Sequence, residues 1–212
     1  ASSTIGWRSP TGDRTSARRL ASTSLGWQLM WGRQLPPHLP PTMFDIGVPY
    51  RAAELAHAMQ ALQAQGTELS RRFSLGSFFA PQGTAWSPAD QIRHLRKTTL
   101  PISLAFYLPS GVLALGFGRG AGASRPYDQI RDAYRASLTK STSAGIFAPR
   151  PDPEVPDPAR RREAILNAWH VANHRFAAAV GRWSEAELDR YRLPHPRLGT
   201  LTLREMAAFT VY

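Results

Sequence analysis

From Pro49 onward, apolar residues recur at helical spacing. Leu55, Met59, Leu62, Gly66, Leu69 and Phe73 follow alternating steps of four and three, one stripe of a helix expected over about 49–73. A loop with Gly76, Pro81 and Gly83 follows. Ser87, Pro88 and Asp90 then supply an N-cap, a first-turn proline and a capping-box acid. The stripe behind them is Ile92, Leu95, Thr99, Ile102 and Phe106. Pro101 lies inside it, and its missing donor predicts a kink or an end near Leu100, with helix resuming towards Tyr107. Residues 109–126 carry five glycines and read as a loop. Ile130, Tyr134 and Leu138 mark a helix over about 127–143. Five prolines between Pro149 and Pro158 impose an extended connection. Ile165, Trp169, Ala172, Phe176, Val180 and Trp183 stripe a long helix over about 158–182. Ser184 and Glu187 box a short helix to about Tyr191, and Leu193–Thr200 reads as a turn-rich loop. Thr202 and Glu205 start a last helix, expected to be still running at Tyr212. No alternating strand pattern appears, so the reading is an all-α bundle.

Residues 1–42 depart from this pattern. They hold six serines, five prolines and three tryptophans, with no apolar period of 3.6 or 2. Five arginines against one aspartate suit a transit peptide, and Gln34–Thr42 suits a proline-rich linker. The preferred reading is translation from Met43, because periodic sequence begins directly after it. The expected organisation is a disordered or non-native tail over 1–42 and one helical domain over 43–212.

The 212 residues carry 26 basic and 15 acidic side chains, a net charge of +11. Of the basic residues, 24 are arginine, and outside the tail they are scattered along the chain. Scattered charge is the mark of a solvated surface, so a nucleic-acid partner is not expected. There is no cysteine, which excludes disulfides, thiolate metal sites and a cysteine nucleophile. It fits a reducing compartment, and a cytoplasmic location is the expectation. No run of about eighteen apolar residues occurs, so no membrane partner is expected.

Candidate chemistry is sparse. The run Gly116–Gly122 (GFGRGAG) lacks either phosphate-loop register and reads as a connector. No G-x-S-x-G occurs, and Asp90, Asp128, Glu187 and Glu205 sit at helix starts, where they favour the dipole. Arg93 and Arg96 flank His94 and would attract an anionic substrate, although solvated arginines are the simpler reading. Of six histidines, His38 falls in the proline-rich linker, His57 off its helix stripe, and His195 between two prolines. His94, at the edge of its stripe, reads on its own as a half-buried residue with one hydrogen bond. His170 and His174 lie four apart on one helix face, which is ligand spacing, but without the glutamate of H-E-x-x-H. They read as helix-edge residues; the sharper alternative joins them to His94 in one metal site.

Four segments together resemble the DinB/YfiT-like superfamily of four-helix-bundle proteins. They are Trp86–Leu95 (WSPADQIRHL), Pro126–Leu138 (PYDQIRDAYRASL), Trp183–Asp189 (WSEAELD) and Leu193–Tyr212 (LPHPRLGTLTLREMAAFTVY), within a likeness spanning 44–212. The resemblance implies a bacterial four-helix bundle with a short extra helix. It implies a divalent metal, zinc, nickel or similar, held by three histidines. One maps onto His94, which becomes a metal ligand; the other two would follow Tyr212, so residues 1–212 carry one ligand of three and the sequence reads as a fragment. The implied activity is metal-dependent hydrolysis or thiol transfer on a small molecule, the latter with a small thiol cofactor, in a homodimer. Such a three-imidazole site leaves an open position on the ion. A non-catalytic helical module binding a ligand or partner is the alternative.

Overall fold

Three helix starts are built as the sequence implies. In a computed structural model, which describes residues 44–81, 85–138, 145–150 and 155–212, Ser87, Ser184 and Thr202 each accept from the backbone N–H three residues on. Asp90, Glu187 and Glu205 return a carboxylate to the cap. Each box satisfies donors that a helix start leaves unpaired.

The described residues form α1 (Ala52–Arg72), α2 (Leu75–Phe79), α3 (Pro88–Phe106), α4 (Ser110–Phe117), α5 (Tyr127–Leu138), a 3-10 turn (Gly145–Phe147), α6 (Pro158–Val180), α7 (Glu185–Arg190), β1 (Arg192–His195), β2 (Gly199–Thr202) and α8 (Leu203–Thr210). The protein is thus mostly helical, with one small antiparallel hairpin. The predicted tail over 1–42 lies outside the described residues.

α6 is the central helix. It packs on α3 along one side and on α1 along another, while α5 packs against α8. The stripes face this core: Leu55, Met59, Leu62, Leu69, Ile92, Phe106, Ile165, Trp169, Phe176 and Val180 are all buried. Gly66 lets α1 approach α6 closely. A Cβ there would lie 2.7 Å from Cη2 of Trp169.

Two loop readings are corrected, at residues 109–126 and at Leu193–Thr200. α3 carries Pro101 in its interior and continues to Phe106, in keeping with the expected resumption towards Tyr107. Pro101 itself is exposed, while Thr99 and Phe106 anchor the helix in the core on either side of it. The supposed loop 109–126 contains α4, which turns 108° away from α3 after Pro109 and inserts Leu113 into the core. Leu193–Thr200, read as a loop, is mostly a hairpin pairing Arg192 with Thr202 and His195 with Gly199. Its strands are four residues long and contain Pro194, too little for an alternating pattern to show. At the last helix, helical backbone continues past Thr210, with Val211 in the helical region and its N–H donating to Ala207 O at 3.2 Å. The all-α reading therefore holds for the helices and misses the hairpin.

Among the described residues no single helix is long and apolar enough to cross a membrane.

Candidate functional site

The capping box at Ser87 sets the start of α3 and thereby places His94 about two turns in. Asp90 is buried and ion-paired to Arg93, so Arg93 is engaged within its own helix. Arg96 is exposed at a shallow cleft of about 230 Å³ shared with Arg175.

The His94 ring packs against Trp86, with centroids 5.0 Å apart. Its Nδ1 lies 2.9 Å from the carbonyl oxygen of Phe147. A carbonyl only accepts, so Nδ1 carries the proton and Nε2 keeps its lone pair. Burial holds the pKa of His94 below its ordinary value; the Phe147 bond opposes this and Lys97 adds to it. A neutral ring donating through Nδ1 to a carbonyl is the form in which histidine ligates metals through Nε2. The same bond has a structural role. Together with Lys97 Nζ, which donates to Ala148 O at 2.9 Å, it clips the 3-10 turn to α3.

The other histidines lie elsewhere. His170 shares a 2.7 Å hydrogen bond with the Thr67 hydroxyl. That hydroxyl donates to Gln63 O at 2.7 Å, so His170 must donate through Nε2. His57 and His174 are exposed. Among the described residues no three of His, Asp or Glu come close enough to hold one metal ion, so His94, His170 and His174 do not converge. These residues suit a metal only in contributing the His94 imidazole.

His195 is a turn-former, as its place between prolines implies. Its buried ring packs on Phe209, centroids 4.3 Å apart, and Nδ1 accepts from the N–H groups of Arg197 and Leu198 at 3.2 and 3.0 Å. Burial first, and then the nearby Arg197 charge, push its pKa down from 6.5 to about 4. The unfolded chain therefore takes up this proton first. Stability contributed by His195 is complete above pH 6.5 and falls as pH drops towards about 4. Urea midpoints measured across this range should decline, and His195→Asn, which keeps an acceptor but does not titrate, should flatten the decline. An unchanged slope would remove His195 as its source.

A second polar constellation was not legible as one in the sequence. Arg204 on α8 is 2% exposed. Nε and Nη2 donate to the two oxygens of Asp189 at 2.6 and 3.1 Å. Nη1 donates to Glu185 Oε2 and Tyr50 O, both at 2.6 Å, and Nη2 to Glu185 O at 2.8 Å. All five guanidinium N–H groups are used, and the Tyr50 ring lies 4.3 Å from the cation. Ser124 Oγ donates to Asp189 at 2.5 Å and meets Thr202 Oγ1 at 2.6 Å. Glu205 is held by Arg125 Nε at 2.8 Å and by the Arg125 and Thr202 N–H groups at 3.0 and 3.1 Å. Burial opposes ionisation of Asp189 and Glu205, but these donors outweigh it and keep both carboxyls below their ordinary values. Arginine at an otherwise apolar position of a helix start, between Leu203 and Met206, was the available signal.

Comparison with protein-family models, with curated proteins and with solved structures finds no match to this chain.

Proposed function

We propose that the chain is a DinB/YfiT-like four-helix-bundle protein acting on a small molecule, as a metal-dependent hydrolase or thiol transferase, with His94 as one ligand of the ion. The bundle would be formed by α1, α3, α6 and the helix begun by α8. The observation that carries the reading is the His94 ring itself: neutral, oriented by the Phe147 carbonyl, with Nε2 left to bind. When bound, a divalent ion would supply an activated water or thiolate. His94 would hold it, Phe147 O would orient His94, and Trp86 would limit the ring's movement.

The test begins with the codons after Tyr212. Histidine at once, and again four residues later, is the expected result. Elemental analysis of that longer protein should then find about one divalent ion per chain, falling to near none in His94→Ala. A stop codon at that point, or metal content indifferent to His94, would overturn the reading.

The second reading is a binding module without a metal. It is favoured by the clip: His94 and Lys97 together hold the 3-10 turn. In that case His94→Ala loosens residues 145–148 and changes no metal content.

A further inference from the structure

The glycine-rich run is more than a connector. Arg119 bridges to Tyr191, and Gly120 N–H donates to Arg190 O at 2.6 Å. A Cβ on Gly120 would lie 2.9 Å from the Asp189 carbonyl oxygen, so only glycine allows this approach. Gly118 and Gly122 take φ of 81° and 108°, in the range that favours glycine. The loop is thereby fixed as one wall of a cleft of about 360 Å³. Arg125, Arg192, Leu198, Thr200, Thr202 and Glu205 line the rest.

The charges in this cleft do not cancel. No acidic residue occurs between Asp90 and Asp128. Glu205 is committed to Arg125 and to two backbone N–H groups. Asp189 and Glu185 are committed to Arg204. Arg192 forms no ion pair with a described residue, and its buried Nε meets no acceptor. Exposed Thr200 adds a hydroxyl. A guanidinium fork matches the oxygens of a carboxylate or phosphate. The volume lies at the small end of ligand pockets and leaves room for an organic group beyond the anion.

We propose that this cleft binds a small oxyanion-bearing molecule, a phosphate ester or a carboxylic acid, with Arg192 as the charged contact and Thr200 as a neutral donor. The proposal is independent of His94 and of any metal.

The test is thermal unfolding of the 212-residue chain in chloride buffer at constant ionic strength, titrated with inorganic phosphate and separately with acetate. A saturable rise in Tm is expected, about 3–6 °C at an anion concentration tenfold above its dissociation constant. The anion with the lower dissociation constant identifies the ligand class. Arg192→Leu should abolish the rise and Thr200→Val should weaken it. No saturable rise with either anion, or an equal rise in Arg192→Leu, overturns the proposal. Should Arg192→Leu fail to fold, amide NMR of the parent chain decides. Shifts confined to Gly120–Ala123 and the hairpin on adding the anion support the site, and their absence overturns it.

Discussion

Arg204→Met should destabilise the protein by about 3–5 kcal/mol, the cost of breaking a buried charged network by removing one partner. Methionine fills much of the space but satisfies none of the five acceptor contacts. Asp189 keeps only Ser124 as a side-chain donor, and Tyr50 O loses its guanidinium partner. Glu185 is half exposed and recovers water, which places the main loss on Asp189 and on the Tyr50 carbonyl. Arg204→Lys restores the charge but not the fork, so it should remain well below the parent. The measurement is the urea midpoint and slope for each variant, together with Asp189→Asn alone and combined with Arg204→Met. The two losses should be strongly non-additive, because they remove the same bonds. A loss of under about 1 kcal/mol for Arg204→Met would show that the network merely fills space.

Trp169→Ala should cost about 3–5 kcal/mol, the range for emptying a large aromatic site in a core. Trp169 is 3% exposed and lies where α6 meets α1. Its six-membered ring occupies the space that a side chain at position 66 would need. Gly66→Ala is therefore a sensitive partner test. The substitution gains roughly 1 kcal/mol of helix propensity and meets Trp169 Cη2 at 2.7 Å, an overpacking cost of about 1–3 kcal/mol. The net effect should be destabilising in the parent. In a Trp169→Phe background, where the outer atoms are absent, the same change should turn neutral or stabilising. Equal effects of Gly66→Ala in both backgrounds would mean that the two helices shift apart at little cost.

Local features were legible in the chain and distant ones were not. Ser87, Ser184 and Thr202 announce their helices because a capping box is complete within four residues. The stripes through Leu55 and Trp169 follow from spacing alone. α4 was hidden by Gly111 and Gly116, which lower helix propensity, while tertiary burial of Leu113 outweighs them. The hairpin was hidden by its length and by Pro194. His94 could be placed on its helix, but its Phe147 partner lies 53 residues away and no spacing rule reaches it. The network around Arg204 joins Tyr50, Ser124, Asp189 and Thr202, segments that periodicity treats one at a time.

The pairing of α1 with α6 also sets a timetable for synthesis. Thr67 and His170, which bond across that interface, are 103 residues apart. At translation rates of roughly 5–20 residues per second, α1 emerges roughly 5–20 s before the surface that covers it. For that interval Leu55, Met59, Leu62 and Leu69 have no α6 to pack against. Arg204, which fastens the α1 entrance through Tyr50 O, arrives later still. The nascent chain therefore carries an uncovered apolar helix from the synthesis of α1 until α6 emerges, and chaperone demand should fall on that interval.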